Sequence, residues 1–157
     1  MKYIIAAAIL SLQCTANACT GYVVGYKGMH DLFDKDAYNT YVASTSYCSK
    51  VYSHWQVAES EKFIKTLKVP YQLYGYSAGA RAISDVMPLL RKHSSAMPEL
   101  ILTFGAYKTA KVNFTEYKVP FKNFFDGSGI GQTSPGVYLK VPHSKIQAEA
   151  NLHLLSK

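Results

Sequence analysis

Val69-Pro-Tyr-Gln-Leu-Tyr-Gly75-Tyr-Ser77-Ala-Gly79-Ala-Arg-Ala-Ile83 sets the architecture of everything around it. Pro70 can open a strand but not sit in its middle. Tyr71, Leu73 and Tyr74 supply the aromatic and apolar bulk that strands favour. Beyond the glycines, Ile83, Val86, Met87 and Leu90 recur at helical spacing, with Arg81, Ser84 and Asp85 between them. The pattern predicts a buried strand, a cramped turn with Ser77 at its tip, and a helix. Gly75 and Gly79 flank the serine in the pattern Gly-x-Ser-x-Gly. A serine held at strained angles on such a turn lifts its hydroxyl above the sheet. Strand and helix pack closely there only if the positions two before and two after lack bulk. The helix also points its amino end, with free N–H groups and partial positive charge, at the place where an oxyanion would form.

The chain has 157 residues, 48% hydrophobic and 13% aromatic, which suits one globular domain with a real core. Its formal net charge is +7, but the basic residues (Lys27, Lys50, Lys62, Arg91, Lys111 and Lys122 among them) are scattered. Without an arginine-rich block interleaved with aromatics, nucleic acid is not an expected partner. A solubilising surface accounts for the charge, and peripheral contact with an anionic membrane or cell-wall surface is the alternative.

At the amino terminus Lys2 precedes an apolar run from Tyr3 to Leu12, and Ala16-Asn17-Ala18 has the small-x-small form of a cleavage site. The run is too short to span a bilayer. Residues 1–18 are therefore expected to be a cleaved secretory signal, giving a secreted or periplasmic protein. A hydrophobic first strand would explain neither Lys2 nor Ala-x-Ala. Cleavage removes Cys14 and leaves Cys19 and Cys48, for which an oxidising compartment predicts a disulfide. Lipid modification of Cys19 is the rival, opposed by Ala16 where a bacterial lipobox normally has leucine.

Along the mature chain, Gly21 to Gly28 reads as a first strand ending in a sharp turn, His30 to Tyr38 as a short helix broken by Asn39, and Tyr41 to Tyr47 as a second strand. Ser53 is the expected cap of a helix carrying Val57, Phe63, Ile64 and Leu67. After the Ser77 helix ends near His93, strands are expected at Pro98–Phe104, Val119–Phe125 and Gly136–Val141, and a closing helix at Lys145–Leu155. Strands alternating with helices predict an α/β three-layer sandwich with a mainly parallel sheet of about six strands. Right-handed crossovers then put all strand carboxyl ends on one edge, where ligands bind.

Ser77, Asp126 and His143 each follow the end of an expected strand, so three distant residues can meet at that edge. A serine hydroxyl is a poor nucleophile until a base takes its proton. An imidazole suits that task near neutrality, and a carboxylate fixes its tautomer and stabilises the imidazolium. The order Ser, Asp, His is the one that accompanies such a turn on this kind of sheet.

These residues resemble the α/β-hydrolase superfamily. Gly75-Tyr-Ser-Ala-Gly79-Ala is similar to the elbows of small cutinase-like and lipase-like serine esterases, and Gly25-Tyr26-Lys27-Gly28 to the oxyanion loop after an early strand. The resemblance implies a minimal α/β-hydrolase without a cap domain over residues 19–157. Ser77 would be the nucleophile, His143 the general base and Asp126 the orienting acid. The backbone N–H groups of Tyr26 and Ala78 would form the oxyanion hole. Val24 stands where many members carry histidine, and the short chain implies an open site for an accessible ester. The implied activity is hydrolysis of a small-molecule or lipid carboxylic ester or thioester through an acyl-enzyme, with no cofactor and no metal. No His-x-x-x-His, Cys-x-x-Cys or clustered carboxylate pattern points to a metal.

His30 competes as base because it lies near the oxyanion loop, whereas His54, His93 and His153 fall on or beside helices. Asp31, Asp34 and Asp36 come too early in the chain for the expected acid, and Asp126-Gly-Ser-Gly could be only a turn. The competing function is a catalytically inactive protein of the same fold that binds anionic cell surfaces, since a fold alone does not specify an activity.

Overall fold

A computed structural model describes residues 18–106, 110–126 and 135–156. The expected signal up to residue 17 and the glycine-rich stretch 127–131 lie outside the described residues. Strands β1 (Tyr22–Tyr26), β2 (Cys48–Tyr52), β3 (Tyr71–Tyr76), β4 (Leu100–Phe104), β5 (Phe121–Phe125) and β6 (Val137–Tyr138) form one sheet in the order β2-β1-β3-β4-β5-β6. Every neighbouring pair is parallel. Helices α1 (Lys35–Thr45), α2 (Val57–Thr66), α3 (Ala78–Lys92) and α4 (Ile146–Leu155) cover its two faces.

Side-chain alternation along β3 builds two separate cores. Tyr71 and Leu73 join Ile64 of α2 and Ile83, Val86, Met87 and Leu90 of α3. Tyr74 and Tyr76 point the other way, to Tyr38, Tyr41 and Val42 of α1 and Ile146 and Ala150 of α4. All six residues of β3 are buried, as a central strand between two helical layers must be.

The chain steps from β1 to β2 on one side and then returns to place β3 on the other side of β1. Right-handed crossovers in opposite directions put α1 and α2 on opposite faces, which opens a crevice at the carboxyl ends of β1 and β3.

The amino-terminal third corrects two sequence expectations. The helix runs from Lys35 to Thr45, straight through Asn39, and residues 41–45 are helical where a strand was expected. Asp34 supplies the reason at one end: its side chain accepts the Ala37 N–H and starts the helix there. Tyr38, Tyr41 and Val42, at helical spacing, then bury against the sheet. That burial outweighs the strand preference of the same residues. The second strand begins later, at Cys48.

Ser53 does not cap α2. Gln56 occupies the cap position, its Oε1 accepts the Ser53 N–H at 2.8 Å, and the Ser53 hydroxyl donates to Asp31 Oδ1 at 2.5 Å. Strand β6 is only two residues long, because the chain turns back at Leu139, whose C=O accepts the Val141 N–H. Cys19 and Cys48 form a disulfide across 5.6 Å between Cα atoms, tying the start of the described chain to β2. Among the described residues, no helix is long and apolar enough to cross a membrane.

Candidate active site

Ser77 stands between β3 and α3 with φ 53° and ψ −116°. A side chain at those angles costs on the order of 1–3 kcal/mol, which the surrounding packing must hold in place. The Ser77 N–H donates to Phe104 O of β4 at 2.8 Å, and its C=O accepts the Ala80 N–H at 3.0 Å, so the turn is pinned on both sides. The flanking glycines are steric requirements. A Cβ on Gly79 would lie 2.1 Å from Tyr26 O, and one on Gly75 would lie 2.7 Å from Gly79 O. Ser77 is 5% exposed, recessed at the mouth of the crevice.

Asp126 follows β5 directly and is buried. His143 opens a 3-10 turn (His143–Lys145) between β6 and α4. The two meet: His143 Nδ1 lies 2.6 Å from Asp126 Oδ2. With Nδ1–H donating to the carboxylate, Nε2 is left as the acceptor. The imidazole is about one-third exposed and the carboxylate 1% exposed, so the pair has one dry end and one wet end.

Two further residues hold this pair, and sequence reasoning did not single them out for that role. Tyr76, immediately before Ser77, packs its ring 5.0 Å from the His143 ring, and its hydroxyl donates to His143 O at 3.3 Å. Gly105, just after β4, has φ +59°, and a Cβ there would lie 2.5 Å from His143 Cε1 and 3.1 Å from Asp126 Oδ2. The backbone thus passes directly beneath the pair. A Phe-Gly ending to a strand is the only signal the sequence carries for it. Ser77 and His143 are therefore linked through Tyr76 on the same sheet edge.

Ala78 heads α3, where an N–H has no acceptor within the helix. Tyr26 ends β1. The Tyr22 N–H reaches Pro70 O on the β3 side and the Lys27 N–H reaches Tyr52 O on the β2 side. By alternation the Tyr26 N–H faces β3. The Gly28 N–H donates to Leu32 O. A Cβ on Gly28 would lie 3.2 Å from Ser77 Cβ, so the loop after β1 passes against the serine.

The other candidates lie elsewhere. His30 is exposed at φ 55° in the 3-10 turn Met29–Asp31. His54 Nδ1 lies 3.2 Å from Gly28 O. His93 pairs with Glu61 at the surface, and His153 is exposed on α4. Asp31 accepts from Ser53, Asp34 caps α1, and Asp36 sits in its exposed first turn. Arg81 is exposed, with Nε 3.9 Å from Asp85 Oδ2. Among the described residues, no group of three or more His, Cys, Asp or Glu side chains could hold a metal ion.

A six-stranded parallel sheet of this order, with a strained serine between its third strand and the following helix, has the α/β-hydrolase fold. A solved structure similar to the chain is YbtT, a type II thioesterase from the yersiniabactin NRPS/PKS biosynthetic pathway. It superposes with a TM-score of 0.61 at 9% identity, over 89% of this chain and 92% of that one. No protein-family model matches the sequence, and the search of curated proteins found no match.

Proposed function

We propose that this protein is an exported serine hydrolase that cleaves carboxylic esters or thioesters through an acyl-enzyme. Ser77 Oγ attacks the acyl carbon while His143 Nε2 takes its proton. Asp126 holds the imidazole in the required tautomer and stabilises the imidazolium. The tetrahedral oxyanion collects on the Ala78 N–H at the positive end of α3. The Tyr26 N–H is the second donor. Because it faces the ladder, its use requires the end of β1 to loosen by one hydrogen bond, a cost of about 1 kcal/mol. The imidazolium then protonates the leaving alkoxide or thiolate, and water repeats the sequence on the acyl-enzyme. The observation that carries this reading is the Asp126–His143 hydrogen bond, buried at its carboxylate end and held against Tyr76, the residue that leads into the strained Ser77. The structural neighbour is a thioesterase, an activity of the same class of acyl transfer.

Export rests on the expected signal over residues 1–18 and is supported by the Cys19–Cys48 bond, which suits an oxidising compartment. The domain running from Cys19 is then the mature enzyme.

The decisive experiment labels the folded, processed protein with a fluorophosphonate and measures hydrolysis of short-chain nitrophenyl esters alongside the matching thioesters. Labelling is expected to vanish in Ser77→Ala while the circular dichroism spectrum is retained. His143→Ala is expected to abolish turnover and His30→Ala to spare it, and the reverse result would reassign the base. Folded protein that neither labels nor turns over either substrate would be a binding protein on this fold.

A further inference from the structure

We infer that His54 and the Ser53–Asp31 pair are positioning residues for the loop that walls the oxyanion position beside Ser77, a role that rests on the serine-hydrolase reading above. Strands β1 and β2 are parallel with Tyr26 opposite Tyr52, so the chain leaves both at the same level of the sheet. The backbone ladder runs on for one more bond, from the Lys27 N–H to Tyr52 O at 2.9 Å. Side chains of the turn after β2 then take over. His54 Nδ1 lies 3.2 Å from Gly28 O, and the Ser53 hydroxyl donates to Asp31 Oδ1 at 2.5 Å. A carbonyl oxygen only accepts, so Nδ1 carries the proton in that contact.

The loop after β1 needs such holding. His30 and Asp31 have left-handed backbone angles, φ 55° and 56°, which residues other than glycine keep only where the surroundings fix them. The turn that holds the loop is itself fixed. Gln56 Oε1 accepts the Ser53 N–H at 2.8 Å, and the Gln56 N–H donates to Ser53 O at 3.0 Å. Ser53 is buried, which shelters the hydroxyl end of its charge-assisted bond to Asp31.

On its other side the loop packs on the proposed nucleophile without a gap. A Cβ on Gly28 would lie 3.2 Å from Ser77 Cβ and 3.1 Å from Tyr76 Cδ1. Tyr26 O and Lys27 O sit as tightly on α3, at 2.1 and 2.9 Å from a Cβ built on Gly79. The segment that carries the Tyr26 donor is thus seated between Ser77 and the turn after β2. His54 and Asp31 act through that segment: with both contacts made, the oxyanion meets a wall already in place, and without them the wall must be ordered at every turnover.

The test sets a variant that keeps shape against one that keeps the donor. His54→Phe retains a ring without an N–H, whereas His54→Asn puts an amide N–H near the place of Nδ1–H. His54→Phe is expected to lower kcat for nitrophenyl butyrate about tenfold with KM changed less than about twofold, and His54→Asn to recover most of that loss. Inhibition by butylboronic acid, whose serine adduct places a negatively charged oxygen at the oxyanion position, should weaken by the same factor as kcat/KM falls. Ser53→Ala and Asp31→Ala should each cost about fivefold by both measures, and the double variant no more than either alone. A purely structural role would lower the urea midpoint without separating kcat from KM, and would leave His54→Asn no better than His54→Phe. That result overturns the inference, as does kcat within about twofold of wild type in both His54→Phe and Asp31→Ala. If His54→Phe does not fold, Asp31→Ala, at an exposed position, decides by the same two measurements. Wild-type protein that neither labels with fluorophosphonate nor turns over an ester refutes the hydrolase reading itself, and the positioning role with it.

Discussion

Gly79 and Gly105 show how narrow the tolerances are around the proposed site. A methyl group on Gly79 would strike the β1 backbone, which cannot move without disturbing the sheet. Gly79→Ala is expected to lower stability by about 3 kcal/mol, read as a fall in the urea midpoint. At Gly105 the obstacle is the imidazole itself. Gly105→Ala combines an unfavourable positive φ with a Cβ 2.5 Å from His143. It should lower kcat more than tenfold, while the stability loss stays near 1–2 kcal/mol. Asp126→Asn keeps the shape but favours the wrong tautomer, and kcat is expected to drop by about 10³–10⁴. A kcat within threefold of wild type would remove Asp126 from the role of orienting acid. Neither the Gly105 contact nor the Tyr76 clamp was legible in the sequence. Both depend on the register of β3, β4 and β5, which brings residues 76, 105, 126 and 143 to one edge.

Most elements could be read locally. Strand β3, helix α3 and the closing helix announce themselves through apolar spacing and through Pro70, Gly75 and Gly79. The exception is α1. Tyr41, Val42, Thr45 and Tyr47 have strand-favouring side chains, and Asn39 is a residue that often ends helices. The helix wins because Tyr38 and Tyr41 both reach Tyr74, at 5.0 and 5.7 Å between ring centroids, which a strand's alternation would not allow from one face. Asn39 is exposed in the middle of that helix, so Asn39→Ala should raise stability by about 0.5 kcal/mol in denaturant unfolding. Asn39→Pro should cost about 3 kcal/mol. Were Asn39 a break between helix and strand, neither change would follow.

For the whole molecule, stability depends on a covalent tie and on neutral phenols. The Cys19–Cys48 bond closes a loop with a sequence separation of 29, which in the chain-entropy account contributes about 3.5 kcal/mol. Reduction should lower the unfolding free energy by that order in urea titrations. Burial pushes the phenols of Tyr38 and Tyr41 up to about 12, and those of Tyr26, Tyr71 and Tyr74 are raised by the same cause. Below the ordinary value of 10.0 these groups are neutral in both states and their contribution is fully present. Between about 10 and 12 the unfolded chain ionises while Tyr38 and Tyr41 of the folded one do not, so stability falls as pH rises. Alkaline unfolding followed by circular dichroism should therefore coincide with late phenolate absorbance. A full phenolate signal at pH 10 with the fold intact would contradict it.

The amino-acid order alone determined the elbow, because a serine between two glycines on a strand-to-helix turn is a local steric requirement that neighbouring residues state outright. It also determined the alternation of strands and helices, and hence a parallel sheet with its strand carboxyl ends on one edge. The tertiary structure decided which local preference prevailed in α1, which carboxylate and imidazole came into contact, and which glycine and tyrosine hold them there. Those outcomes depend on burial and register between segments far apart in the chain, and no spacing within a single segment encodes them.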